Sequence, residues 1–105
     1  MPQLNQRDAI HYIMTRQEFK ASALSGGFKV YAPDTGRLND EEIAKIKETT
    51  REAGGAYFVY SYGTPIAWFT PFQGWYVVSQ KFSVTTSKHQ NLVRRGIAES
   101  LAVIV

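Results

Sequence analysis

The sequence predicts an α+β fold: a single domain spanning residues 1–105, built on an antiparallel β-meander of three to four strands. An N-terminal helix, a central helix and a C-terminal helix packed on the sheet complete it. Three observations carry this prediction. Residues 56–79 (AYFVYSYGTPIAWFTPFQGWYVVS) are aromatic and β-branched and are cut by two turn signals, which is the pattern of consecutive short strands. Asn39-Asp40-Glu41-Glu42 and Ser87-Lys88-His89-Gln90 each have the spacing of a helix-opening capping box. The chain of 105 residues, 44% hydrophobic and 13% aromatic, suits one core rather than two.

The first helix is expected to open at Asn5 and to run through Ala9, Ile10, Ile13 and Met14. Thr15 and Glu18 again have capping-box spacing, with Met14 and Phe19 placed as a hydrophobic staple. That predicts a second short helix, or a kinked restart of the first, ending before Gly26-Gly27. Phe28-Lys29-Val30-Tyr31 reads as a short strand, and Pro33-Asp34-Thr35-Gly36 as a turn.

The central helix should be capped by Asn39, with Leu38 and Ile43 as its staple, and should end near Ala53 at Gly54-Gly55. Asp40, Glu41 and Glu42 complement the positive end of its dipole. Its apolar stripe of Ile43, Ile46, Thr50 and Ala53 is narrow, so most of the helix should face water.

Residues 56–62 form the first meander strand. Gly63-Thr64 suits a two-residue hairpin loop of type II′, and Pro65–Thr70 is the next strand. Pro65 donates no ladder bond, which places it at a strand start or an edge. Pro71–Gly74 turns the chain, Trp75–Ser79 is a third strand, and Lys81–Val84 a short fourth segment. Such a sheet is aromatic on both faces, which calls for helices on one face and a partner on the other.

Residues 83–90, SVTTSKHQ, mix hydroxyls with a lysine and a histidine. Ser87 as cap and Gln90 as its third-position partner open the last helix, with Thr86 as an alternative cap shifted by one residue. Helix phase sets His89 on the apolar side with Leu92, Val93, Gly96 and Ile97. An inward imidazole needs partners for its nitrogens, and the nearest sources are residues 83–87 and the Tyr60-Ser61-Tyr62 strand. His89, Ser87, Thr86, Gln90, Tyr60 and Tyr62 are therefore the expected structural lock between helix and sheet. A catalytic histidine ranks below this, because no orienting group or cleft is evident. The same hydroxyl-rich entry with Thr85 and Lys88 is a weaker candidate anion cradle. Lys88, Asn91, Arg94 and Arg95 share the opposite, basic side and are the candidate contacts to nucleic acid or an anion.

Composition narrows the function classes. With no cysteine, the chain has no disulfide, no thiolate nucleophile and no thiolate-bound zinc. His11 and His89 are the two histidines, and neither has carboxylates at ligand spacing. No metal and no cofactor are expected. The net charge is +3, without the dense basic clusters of a dedicated nucleic-acid binder. Residues 81–105 hold four Lys/Arg against one Asp/Glu, so part of the basic excess sits in the last helix. No apolar run is long enough for a membrane span, and residues 1–14 lack the apolar core of a secretory leader. The expected location is a cytoplasm. The final stretch, Leu101-Ala102-Val103-Ile104-Val105, is apolar and is expected to extend the helix, add a strand or seat in a partner subunit.

YFVYSYGTPIAWF followed by KFSVTTSKHQNLVRR resembles a pattern in small proteins of unknown function from bacteriophages of actinobacteria and from their hosts. The pattern reads V-Y-S-Y-x-T-P-I-A, then Y-S-x-T-T-S-x-H-Q. Thr15–Phe19, Gly36 and Leu38 are similar too, so the likeness covers about residues 15–95. Phe82 stands where that family usually has tyrosine. The resemblance implies a small phage accessory protein in a host bacterial cytoplasm, acting by binding a host protein. The two-faced aromatic sheet and the apolar end Leu101–Val105 make it a candidate homo-oligomer as well, and no catalysis is expected. The alternative is a nucleic-acid-binding regulator using the basic helix side. A hydrolase or transferase built on Ser83, Thr86, Ser87 and His89 is the weakest expectation.

Overall fold

The computed structural model describes residues 6–21, 23–30, 36–71, 73–80 and 82–104, with side chains described from Asp8 to Ala98. Three helices and a five-stranded antiparallel sheet follow in the order α1 (Gln6–Met14), β1 (Phe19–Ala21), β2 (Leu24–Lys29), α2 (Asp40–Ala53), β3 (Ala56–Ser61), β4 (Thr64–Thr70), β5 (Gly74–Val77) and α3 (Val84–Ile104). The strands lie in chain order, with α2 inserted between β2 and β3.

Strand alternation divides the core in two. Tyr57, Val59 and Ala67 point to one face, where Ala9 and Ile13 of α1 and Val93 of α3 cover them. Ala56, Phe58 and Trp68 point to the other, under Ile46 of α2. The α+β meander is as expected, but it has five strands rather than three to four. Helices cover both faces, so the second aromatic face is closed by α2 and is not left for a partner.

The fifth strand comes from residues expected to be helical. Thr15 ends α1 instead of opening a helix: its hydroxyl donates to the His11 carbonyl at 2.7 Å. Arg16 N–H bonds Ile13 O and Gln17 N–H bonds Tyr12 O, the paired bonds of a Schellman stop. Arg16 takes the left-handed position there, with φ 54°, where glycine is usual. The chain then turns back as a β1–β2 hairpin, with Phe19 opposite Gly26 and Ala21 opposite Leu24. Gly26 is a close-approach glycine inside β2, not a helix stop. A Cβ on it would lie 2.5 Å from Phe19 Cε1 and 2.6 Å from Tyr57 Oη. The strand expected at residues 28–31 is the end of β2, and Val30 lies just past it.

The central helix follows its sequence closely. Asn39 Oδ1 accepts from Glu42 N–H at 3.0 Å, and Gly54 closes the helix in the left-handed region with its N–H on Thr50 O. The β3–β4 loop is Tyr62-Gly63, with φ 52° and 77°, and not Gly63-Thr64. Positive φ at both residues is the I′ pattern rather than II′. A bulge between Val59 and Tyr60 sets Pro65 opposite Tyr60, beyond the reach of β5, so its missing N–H costs no ladder bond.

The third meander strand is Gly74–Val77, shorter than residues 75–79. Of the fourth segment, Phe82 and Ser83 are irregular and Val84 is the first residue of α3. The apolar end continues α3 as far as Ile104. The expected cap at Asn5, the strand end at Tyr31, the turn residues Pro33, Asp34 and Thr35, and Lys81 lie outside the described residues. So do the side chains of residues 101–105.

Candidate functional site

The last helix opens at Ser83, four residues before the expected Ser87. Ser83 Oγ accepts from Thr86 N–H at 3.3 Å, and Ser87 N–H bonds Ser83 O at 2.9 Å. Ser87 is thus already helical, and Gln90 is free of any capping duty. The earlier start buries Thr86 and His89 on the same turn-to-turn stripe as Val93, which faces the sheet.

His89 is 1% exposed. Its Nδ1 lies 2.6 Å from Ser61 Oγ, and Ser61 Oγ lies 3.2 Å from Thr86 Oγ1. Thr86 Oγ1 in turn lies 3.2 Å from Ser83 Oγ. A chain of three hydroxyls therefore runs from the helix cap to the buried imidazole. Burial pulls the His89 pKa below its ordinary value, which favours the neutral ring. The exposed Tyr62 ring stands 6.2 Å from the imidazole, tilted by 31°.

Of the expected lock, Tyr62, Thr86 and His89 come together, and their partner on the sheet is Ser61, which was not among the expected lock residues. Tyr60 does not join them: it points to the opposite face, beside Phe58 at 6.2 Å between rings. Adjacent strand residues face opposite ways, so Ser61 takes the place expected of its neighbour. Ser61 and His89 have the separation of a nucleophile and its base. Both are 1% exposed, however, so a substrate reaches neither without local opening. None of the three described clefts is lined by either residue.

Gln90 makes a second joint. Its Nε2 donates to Val78 O at 2.7 Å and to Gln80 O at 3.2 Å, tying α3 to the chain after β5. Gln80, which sequence reasoning passed over, holds the other side. Its Oε1 accepts from Asn39 N–H at 2.8 Å and its Nε2 donates to Arg37 O at 2.9 Å. Of the candidate nucleic-acid contacts, Lys88, Asn91, Arg94 and Arg95 are all exposed. Arg94 folds back, donating to Asn91 Oδ1 at 3.2 Å and to Val78 O at 3.4 Å.

A second polar cluster was not legible from spacing. The buried Glu42 carboxylate accepts from Tyr76 Oη at 2.7 Å and 3.0 Å. Lys45 Nζ donates to the same phenol at 2.9 Å and lies 3.5 Å from Glu42. The bond to Tyr76 raises the Lys45 pKa, and burial raises that of Tyr76. Glu42 thereby finds partners for a charge that is costly to bury alone. Among the described residues no group of three His, Asp or Glu side chains is arranged to hold a metal ion.

The third feature is an apolar groove of about 360 Å³ at the end of β2, β3 and β4. Phe28, Tyr57, Phe69, Pro71 and Arg16 are among the residues that line it. Phe28 is 63% exposed and the neighbouring Val30 60%. Arg16 Cζ sits 4.4 Å above the Phe69 ring, a cation–π contact. Tyr57 Oη donates to Gln17 O at 2.7 Å and fixes the segment that carries Arg16.

A family model matches residues 35–100, described as a family of unknown function, DUF8033. The chain belongs to DUF8033. No curated protein and no solved structure matches it. The DUF8033 segment holds α2, β3–β5 and most of α3, and with them the Ser61–His89 joint, the Glu42–Tyr76–Lys45 cluster and Tyr57 and Phe69 of the groove. Arg16 and Phe28 lie outside the DUF8033 match, on α1, β2 and their connections. Among the described residues no helix is long and apolar enough to cross a membrane.

Proposed function

We propose that the protein is a small phage accessory protein that works in a host bacterial cytoplasm by binding a host protein, without catalysis. One observation carries the reading. Phe28 and Val30, two positions apart, are 63% and 60% exposed at the end of β2, where Phe28 lines an apolar groove. Exposed apolar groups gathered at one place mark contact sites rather than ordinary surface. The buried histidine joint and the Glu42 cluster, by contrast, are satisfied internally and serve packing. The test is affinity capture from an actinobacterial host lysate with the wild-type chain and with Phe28→Asp/Val30→Asp. A partner held by the first and lost by the second supports the reading, given equal thermal midpoints. Absence of any partner, or equal retention, opposes it. Self-association is read in parallel by light scattering.

The second reading, a nucleic-acid-binding regulator, draws on Lys88, Asn91, Arg94 and Arg95, which share the exposed side of α3. A low-salt mobility shift that disappears in Arg94→Glu/Arg95→Glu supports it, and no shift at micromolar protein removes it.

A further inference from the structure

The geometry points to the groove between Phe28, Tyr57 and Phe69 as the seat of a partner peptide that inserts one large apolar side chain and lays a neighbouring carboxylate on Arg16. This inference rests on the proposed binding function and names the partner chemistry.

Charge is the first argument. Arg16 is the single charged residue among the described residues that line the groove. No described carboxylate pairs with it: the one described ion pair joins Lys45 and Glu42. A guanidinium has five N–H donors, and the described bond of Arg16 takes one group, NH1, to Met14 O at 3.0 Å. The guanidinium held over the Phe69 ring keeps further donors, and a planar fork of this kind receives a carboxylate.

Conformation is the second argument. The helix stop at residue 16 favours glycine, because an L-residue with φ near 54° is strained by about 1–2 kcal/mol. An arginine held there against that preference fits a functional task. The frame around it is also fixed in advance. Tyr57 is bonded to Gln17 O, and at Gly55 a Cβ would lie 2.6 Å from Lys29 O and 2.8 Å from Phe28 Cζ. Gly55 therefore lets β2 and Phe28 close on the groove floor. A pre-formed site loses little freedom on binding.

The sheet edge favours a peptide over an acyl chain. Ala23 O accepts from Tyr62 N–H, so the odd-numbered residues of β2 bond towards β3 and the even-numbered ones towards β1. β1 ends opposite Gly26. The backbone N–H and C=O of Phe28 thus face a side with no ladder partner among the described residues, and no described backbone hydrogen bond joins Phe28 to the chain before Phe19. An extended peptide lying there has main-chain groups to meet them.

The probe is a random displayed peptide library panned on the immobilised full-length protein, followed by synthesis of the enriched sequences. Enriched peptides are expected to place Asp or Glu within a few positions of Leu, Ile, Phe or Trp. Their affinity is expected to fall at least about tenfold in Arg16→Gln and in Phe28→Ser, and to stay unchanged in Arg95→Gln. Arg16→Gly is the second variant: it suits the backbone, removes the guanidinium, and is expected to lose binding while keeping the fold. No enrichment, enriched peptides without a carboxylate, or affinity unchanged in both Arg16 variants overturns the proposal. Saturable binding of dodecanoate with no peptide enriched also overturns it and assigns the groove to an acyl carboxylate. A host partner captured equally by wild type, Arg16→Gln and Phe28→Ser retires the groove and leaves the binding function standing.

Discussion

Ser61→Ala tests the joint between sheet and last helix. The Ser61 hydroxyl is 2.6 Å from His89 Nδ1 and 3.2 Å from Thr86 Oγ1, and all three residues are buried. Removing it strips one neighbour from each of two buried polar atoms. Thr86 keeps Ser83 at 3.2 Å, and the bond lost at Nδ1 is the shorter of the two, 2.6 Å. A buried group left short of a partner costs about 1–3 kcal/mol, and alanine fills the space of the serine carbons, so no cavity is added. The expected loss is therefore about 1–3 kcal/mol. For a domain of this size it lowers the thermal midpoint by roughly 4–8 °C per kcal/mol. Urea denaturation at neutral pH, followed by circular dichroism with the m-value held constant, gives the number. In His89→Leu the serine hydroxyl no longer has its imidazole, so Ser61→Ala in that background should cost clearly less than in wild type. A loss under about 0.5 kcal/mol in the wild-type background, or equal losses in both, refutes the reasoning.

The remaining predictions test position and protonation. Gly26→Ala places a Cβ 2.5 Å from Phe19 Cε1 and should cost about 1–3 kcal/mol, whereas Gly27→Ala, with its nearest contact at 3.6 Å, should be tolerated; equal effects in a denaturation series contradict the β1–β2 hairpin. Ser83→Ala should cost about 0.5–2 kcal/mol as loss of the α3 cap, and Ser87→Ala much less; the reverse order returns the helix start to Ser87. Burial holds His89 below its ordinary value near 6.5, so below that pH the unfolded chain binds the extra proton first. Stability contributed by the neutral ring is thus full above pH 6.5 and falls as the pH drops towards the folded-state value, by at most about 1.4 kcal/mol per unit. Denaturation midpoints between pH 7.5 and 5 should show this slope in wild type and a shallower one in His89→Leu; identical slopes contradict it.

The features legible in the sequence are those set by local chemistry. Asn39 and Gly54 bound α2 because cap and stop are read within one turn. Helix phase turned His89 inward because three and four residues later stand Leu92 and the buried Val93. The failures are of two physical kinds. Thr15–Glu18 has capping-box spacing, yet Phe19, Ala21 and Leu24 gain more by alternating into the sheet core, and tertiary burial overrides a local signal. Tyr60 and Ser61 differ by one position, and in a strand one position changes the face completely. Ser83 and Ser87 are equally good caps, and helix packing on Ser61 selects the first. The Glu42–Tyr76 contact joins residues 34 positions apart, and the Phe28 groove assembles from four separate segments. Neither leaves a spacing signature.

If the protein meets its partner through the end of β2, a probe placed there must reach that partner. The probe is photo-crosslinking in host lysate from single p-benzoylphenylalanine replacements at Val30 and at Arg95. A discrete protein adduct is expected from position 30, suppressed in the Arg16→Gln background, and none from position 95. Adducts from position 95 alone, to protein or to nucleic acid, contradict a contact through β2.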